Sequence, residues 1–402
     1  MLYLLNLKAN GYKLLSDDFS LNLTSRTRVY QNEKEKEMIE VDKGLYVFRS
    51  LAFVGGNSSG KSTVLSLLLK TLLFMQTGRW EYVPREFKND YINIETIFYL
   101  DGYIYEYNFI VGKIDFEKLS LANKFSPITK ENLKKMRYDK SRGIKNLDLV
   151  HENGENLSSL FEMSLNDTSA ITKIISNNII VDDFNNNNIT NFNESIVRNT
   201  FFTSLNSCDK NLVSSIIKLL DDSIEYIVCD ASDHVVFKRI NETELVMPKV
   251  ELISILSAGT FRGVELFIRC INALKYGKVF IVDEIENCFQ KKLVFNLLFL
   301  FNDAKINSKG AQLIFSTHYV EILDYLNRRD GIFITHKNDG HISASNLYSD
   351  YDVRTELSKS KQFDNNVFNT ALNYKQVLEV RRNLINELHI NNDWRIWRAC
   401  FY

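Results

Sequence analysis

The chain has 402 residues, enough for two or three domain-sized units with a large core, and its 45% hydrophobic and 25% charged residues are ordinary for a soluble globular protein. Forty-nine Lys plus Arg against 50 Asp plus Glu leave a net charge of −1, which excludes a strongly basic DNA-coating protein and an acidic tail-like one; 3 prolines and 16 glycines exclude collagen-like and proline-rich classes. The 5 cysteines (Cys208, Cys229, Cys270, Cys288 and Cys400) are scattered, odd in number and never spaced as CxxC, so they read as reduced packing residues, neither a disulfide frame nor a zinc site.

In chain order, residues 1–7 and 19–23 read as strands and 32–37 as a charged loop. Residues 44–54 lead through a strand into a glycine-rich turn, and 61–76 have the apolar density of a buried helix. From 92 to 111 apolar and aromatic residues alternate about Asp101-Gly102, a dipeptide that tolerates the positive φ angles of a tight hairpin turn. Residues 121–222 turn polar, with interrupted helical periodicity and an asparagine run at 185–188; they read as an inserted, mostly helical subdomain with a mobile loop. Strands follow at 225–229 and 234–239. Ser257 opens a helix whose apolar positions Val264, Phe267, Ile268, Ile271 and Leu274 keep the helical period until Gly277 stops it. Residues 279–282 form a buried strand of the parallel type, a helix runs to Phe301, and 312–315 is a second such strand. Another helix reaches about Asn327, 331–335 extends again, and the remainder reads as polar and helical. Residues 1–7 lack the basic region and cleavage site of a signal peptide, and the apolar stretch 65–75 is broken by Lys70 and too short to span a bilayer, so a cytoplasmic location is expected.

Four motifs carry chemistry. Gly55-Gly56-Asn57-Ser58-Ser59-Gly60-Lys61-Ser62-Thr63 matches GxxxxGK[ST] between an expected strand and an expected helix. In that setting Gly55, Asn57, Ser59, Gly60 and Thr63 lend backbone N–H groups to phosphate oxygens at a helix N-terminus, Lys61 reaches the β- and γ-phosphates, and the Ser62 hydroxyl ligates Mg²⁺. Val279-Phe280-Ile281-Val282-Asp283-Glu284 carries an acidic pair to the end of a buried strand, where Asp283 can serve the metal and Glu284 can polarise the attacking water. Ser257-Ala258-Gly259-Thr260, placed 26 residues before Asp283, opens a helix; it reads either as a plain N-cap or as a phosphate-binding turn through Ser257, Gly259 and Thr260. His318 ends a strand 34 residues after Glu284 and can contact a γ-phosphate. Asp350 and Asp352 read as surface carboxylates.

These motifs in this order resemble the ABC-type ATPase heads of transporters, SMC-like repair ATPases and phage-defence ATPases. The finer resemblance is to the AAA_15/AAA_21 family, which includes abortive-infection ATPases and the N-terminal half of OLD nucleases. It rests on Arg49-Ser50-Leu51 running into the phosphate loop, a Ser-x-Gly-Thr signature in place of LSGGQ, Asp-Glu-Ile-Glu at 283–286, and the tyrosine-rich hairpin with Tyr103, Tyr105 and Tyr107. It covers roughly residues 1–120 and 225–345. Asn287-Cys288-Phe289-Gln290 depart from the Leu-His pair frequent in the family, Tyr319 stands where Asn is common, and Gln76 lies too close to the phosphate loop to be a Q-loop glutamine.

The resemblance implies an α/β fold: an ABC-type P-loop NTPase head made of residues 1–120 and 223–345, with an antiparallel β subdomain, the 121–222 insert, and a helical C-terminal tail at 346–402. It implies binding and hydrolysis of ATP with Mg²⁺, with Glu284, His318 and Lys61 as the catalytic set. ATP is then sandwiched in a homodimer, or a higher oligomer of dimers, in which Ser257, Gly259 and Thr260 act in trans on the partner's phosphate loop. Only 84 residues follow His318, too few for a nuclease domain beside the rest of the head, so a separate nuclease-like effector in a phage-defence system is expected. Nucleic acid is a further candidate partner, and a membrane is not. The alternative is an SMC-like repair or recombination ATPase acting directly on DNA. Trp394 and Trp397, with Phe401 and Tyr402 behind them, are expected to anchor either the tail or a partner.

Overall fold

The computed structural model describes residues 1–113, 128–157, 169, 171–175, 181–184, 202, 209–229, 234–287, 291–352, 357–370 and 374–388. Two six-stranded sheets dominate them. The first is antiparallel and holds β1 (Tyr3–Asn10), β2 (Phe19–Asn22), β6 (Tyr91–Leu100), β7 (Tyr103–Gly112), β8 (Ile128–Arg137) and β9 (Glu155–Asn156), in the order β2-β1-β6-β7-β8-β9. The β6–β7 turn is the expected one, with Asp101 at φ 49° and Gly102 at φ 85°.

The second sheet holds β5 (Ser50–Val54), β10 (Val181–Phe184), β14 (Val279–Val282), β15 (Gln312–Thr317), β16 (Ile332–Asn338) and β17 (His341–Asn346), in the order β10-β14-β15-β5-β16-β17. All its pairings are parallel except that of the hairpin strand β17. β5, β14 and β15 are buried along their whole length, which explains their continuous apolar sequences. Alternate residues feed two cores. Ala52, Val54, Phe280, Val282, Leu313 and Phe315 join the core under the helices Ala258–Tyr276 and Lys291–Asn302. Leu51, Phe53, Val279, Ile281, Ile314 and Phe333 join the core shared with the helix Lys61–Thr77 and the antiparallel sheet.

The helix Lys61–Thr77 is therefore held between the sheets. Phe74 packs on Trp80, Tyr107 and Phe109, with ring centroids 6.1, 6.3 and 4.5 Å away. On the same helix Lys70 pairs with the buried Glu86 at 2.5 Å, and Glu86 also accepts from the Tyr12 hydroxyl at 3.1 Å. That hydroxyl lies 2.9 Å from Ser66, so helix and sheet are fastened by packing and by polar contacts. Smaller sheets are the β3 (Met38–Asp42)–β4 (Leu45–Phe48) hairpin and the three strands β11 (Ile224–Cys229), β12 (His234–Arg239) and β13 (Leu245–Pro248).

The fold class is as expected, an α/β P-loop NTPase fold with a separate antiparallel sheet, and several local expectations change. Residues 31–36 are a short helix, not a loop; the Glu33 carboxylate accepts the Tyr30 N–H at 2.7 Å and closes its first turn. Residues 320–325 form a 3₁₀ segment in place of a full α-helix. The described parts of residues 121–222, expected as an insert, join the sheets and the core. β8 pairs with β7 over nearly its whole length, and β10 extends the central sheet beside β14. The helix Lys210–Leu220 puts Val213, Ile216 and Ile217 into the main core. β8 was hidden in the sequence because Leu133 is its only fully buried side chain. The asparagine run and Trp394, Trp397, Phe401 and Tyr402 lie outside the described residues. No helix among the described residues is long and apolar enough to cross a membrane.

Candidate functional site

The phosphate loop joins β5 to the helix Lys61–Thr77 at the centre of the parallel sheet. Its shape is enforced from below. A Cβ on Gly55 would lie 2.5 Å from the Ser59 hydroxyl and 2.6 Å from the Thr335 carbonyl, and the Ser59 and Thr335 hydroxyls are themselves bonded at 2.6 Å. A Cβ on Gly60 would strike Ile342 at 2.4 Å, and Gly60 caps the helix at φ 105°, where no side chain supplies a capping bond. The first-turn N–H groups of Lys61, Ser62 and Thr63 thus emerge from a glycine, the arrangement that suits an anion. Asn57 and Ser58 are exposed at the loop tip, Ser58 at φ 59°, while Ser62 presents its hydroxyl to solvent. Lys61 is only 5% exposed, and its Nζ donates to the Gly55 and Gly56 carbonyls at 3.1 and 3.2 Å.

Burial holds the Lys61 pKa below the ordinary lysine value, and the carboxylates of Glu286, Asp283 and Glu284 oppose that shift. The same three carboxylates therefore stand within electrostatic reach of one ammonium. They leave the end of β14, where the chain turns sharply and Glu284 adopts φ 51°, the left-handed region uncommon for a residue with a side chain. Ser316 at the end of β15 secures the turn. Its buried hydroxyl donates to Asp283 Oδ1 at 2.5 Å and accepts the Glu284 N–H at 2.7 Å. Glu284 Oε2 accepts from Asn287 Nδ2 at 2.5 Å, and Glu286 Oε1 accepts the His318 N–H at 2.5 Å. The His318 ring is left exposed beside these groups.

Ser257 caps the helix Ala258–Tyr276. Its Oγ accepts the Thr260 N–H at 3.0 Å and lies 2.8 Å from the buried Thr260 hydroxyl. Gly259 is exposed, and the nearest atom to a Cβ placed there is the Ser257 hydroxyl at 3.8 Å, so the turn presents bare backbone to solvent. The structure thus gathers Lys61, Asp283, Glu284 and the backbone of His318 beyond the C-terminal ends of the central strands, and leaves Ser257 and Gly259 exposed at a helix start whose Thr260 is buried behind them. Gln76 accepts the Val181 N–H at 3.4 Å and serves the packing of β10. Asp350 accepts the Asn346 N–H at 2.6 Å and closes a turn.

Sequence reasoning passed over Ser316, Thr335 and Ile342. Only the strand order β15-β5-β16-β17 brings them to the loop, and nothing in the local sequence marks them. Glu286 was visible only as part of Asp-Glu-Ile-Glu. The donor set fits a small hard cation with its phosphate: the Ser62 hydroxyl and the Asp283 carboxylate are oxygen ligands of the kind magnesium takes one or two at a time from a protein.

A family model described as "AAA domain, putative AbiEii toxin, Type IV TA system" matches residues 50–324, well over half of the chain, and reaches from β5 through the phosphate loop, the Ser257 turn and the acidic pair to His318. A comparison with curated proteins finds no match. Among solved structures, the SMC head domain from Thermotoga maritima aligns at 12% identity with a TM-score of 0.43, covering 86% of this chain and 98% of that one. An SMC head bound to the C-winged helix domain of ScpA aligns at 15% identity with a TM-score of 0.41, covering 86% and 97%.

Proposed function

The chain belongs to the AAA_21 family of AAA domains, and from that premise we propose that it is a magnesium-dependent ATPase whose two copies close around ATP. One observation carries the reading: the buried Lys61 ammonium lies within electrostatic reach of the half-buried carboxylates of Asp283, Glu284 and Glu286, at the mouth of a glycine-shaped loop. Lys61, freed from the Gly55 and Gly56 carbonyls, places its charge on the β- and γ-phosphates, while the N–H groups of residues 60–63 take the remaining oxygens. Ser62 and Asp283 hold Mg²⁺, which when bound neutralises charge gathering on the transferred phosphoryl group. Glu284 Oε1 orients the attacking water and draws off its proton, with Asn287 restraining the other carboxylate oxygen. Glu286 fixes the His318 backbone, and the exposed imidazole is free to meet the γ-phosphate.

The Ser257 turn supports a shared site. The helix Ala258–Tyr276 has 19 residues and β14 only 4. At about 1.5 Å per helical and 3.3 Å per strand residue, the helix start overshoots the strand by roughly 15 Å. The exposed Ser257 and Gly259 then face outward, toward the phosphate loop of a second copy, with Thr260 bonded to Ser257 behind them. Dimer closure and nucleotide occupancy are linked by mass action in such an arrangement.

The family resemblance supports a role in phage defence, with the ATP-driven dimer controlling a separate nuclease-like effector. A single experiment tests the catalytic core. Glu284→Gln keeps the side chain's shape and removes the base, so ATP binding should persist and turnover should fall by about 10²–10⁴-fold. The variant should also accumulate as a dimer when ATP and magnesium are present, read by sedimentation. Wild-type turnover would move the base to Glu286. Recovery of a co-encoded nuclease with the trapped dimer supports the effector role. Stimulation of turnover by DNA alone favours the repair ATPase instead.

A further inference from the structure

We propose that residues 357–370 form a strap across the rim of the phosphate loop, and that this strap competes for the rim with the Ser257 turn of a second copy. The inference rests on the shared-site reading and adds to it a device that sets when the site can close.

The contact is made at Gly56. A Cβ placed there would lie 2.8 Å from the Thr370 carbonyl oxygen, so the two backbones touch and only glycine admits the approach. Gly56 is half-buried and is followed by the exposed Asn57 and Ser58, which makes 56–58 the outward edge of the loop. From the inner side the Gly56 carbonyl accepts Lys61 Nζ at 3.2 Å. The Gly56 peptide is thus held between the lysine that meets phosphate and the backbone of the C-terminal segment. A phosphate that draws Lys61 away releases that peptide from one side.

The strap is built to stay in place. The Asp324 carboxylate accepts the Lys359 N–H at 2.7 Å, the Ser360 N–H at 3.3 Å and the Ser360 hydroxyl. Phe368 is fully buried, with Tyr351 5.1 Å and Phe363 5.7 Å from its ring. The Tyr351 hydroxyl meets His336 Nε2 at 2.5 Å, and His336 lies on β16, the strand next to β5. Asn366 at φ 56° and Asn369 at φ 53° bend the chain twice in the left-handed region, which asparagine tolerates better than most residues, and these bends bring Thr370 to the loop. An exposed peptide would not need this anchoring, and a second chain cannot occupy the same rim while it lasts.

The test uses the full-length protein carrying Glu284→Gln, with ATP and magnesium as the probe. Amide hydrogen exchange at 357–370 is measured with and without ATP, and the protein concentration at half-dimerisation is read by sedimentation. Asp324→Ala, in an exposed side chain, loosens the anchor, and Ser360→Ala is the milder companion. The strap predicts faster exchange at 357–370 in the dimer and a midpoint lowered about tenfold by Asp324→Ala, with a smaller shift in the same direction for Ser360→Ala. Unchanged midpoints with full protection in the dimer overturn it. A raised midpoint also overturns it, because the segment then belongs to the dimer interface. If ATP binds but no protein dimerises, the shared site fails and the strap falls with it. If ATP does not bind, the failure lies with the phosphate-loop assignment itself.

Discussion

Replacing Ser316 with alanine removes one hydroxyl that serves two neighbours. The group is fully buried, donates to Asp283 Oδ1 and receives the Glu284 N–H. Its loss strips a charge-assisted bond from Asp283, worth about 1.5–3 kcal/mol, and strands a buried N–H at a cost of about 1–3 kcal/mol. The two overlap, so folding stability should drop by about 2–4 kcal/mol in all. The effect on turnover comes from a different place. Glu284 sits at φ 51°, where a side-chain-bearing residue gives up about 1–2 kcal/mol, and the bond to Ser316 resists its relaxation. With that bond gone the aligned carboxylate becomes a minority conformer, and 1–2 kcal/mol corresponds to a factor of about 5–30. Steady-state phosphate release measured at saturating ATP and magnesium, where the altered hold on Asp283 is outweighed, should therefore show kcat reduced about tenfold. Thermal unfolding measured alongside separates this from simple loss of folded protein. A folded Ser316→Ala enzyme with kcat within twofold of the wild type would refute the claim that this hydroxyl aligns Glu284.

Lys61→Ala should abolish ATP binding in calorimetry yet unfold no more easily than the wild type, since burial already disfavours the Lys61 charge; retained affinity would remove the lysine from the site. Neither a Ser257→Arg chain nor a Lys61→Ala chain should turn over ATP alone, but their mixture should regain partial activity, because one composite site pairs an intact loop with an intact turn; a dead mixture of chains that still dimerise counts against action in trans. Burial holds His336 below its ordinary value of 6.5, so below that pH the unfolded chain takes up a proton that the folded protein resists. Stability should therefore fall as pH drops through about 6.5 and level off below the folded value, where both states are charged. His336→Gln should flatten that part of the melting curve against pH, and an unchanged slope would assign the decline to other groups.

The parallel core was legible because burial on both faces forces continuous apolar strands: 279–282 and 312–315 announce themselves, and so does the acidic pair at the end of the first. The Asp101-Gly102 hairpin was legible because its turn has few chemical solutions. β8 and β10 were not. β8 is flanked by lysines on both faces, and β10 is four residues long with two aspartates, so neither carries a period, and their pairing partners alone make them strands. The site divides in the same way. Lys61, Ser62, Asp283 and Glu284 sit in contiguous motifs, whereas Ser316, Thr335, Ile342 and Thr370 come from segments hundreds of residues from the loop and meet it only through strand order and the path of the C-terminal segment.

The fastening of the phosphate-loop helix to the antiparallel sheet has a mechanical consequence. Phe74 lodged among Trp80, Tyr107 and Phe109, and Lys70 tied to Glu86, leave the helix little freedom to slide over the sheet. The 17-residue helix is about 25 Å long, and with the sheet fastened to it the two make one stiff arm that begins at the loop. A tilt of about 10° at that end carries the far end through about 4 Å, a displacement as large as a side chain. Any adjustment of the loop around a phosphate group would then move helix and sheet together, with no slip between them.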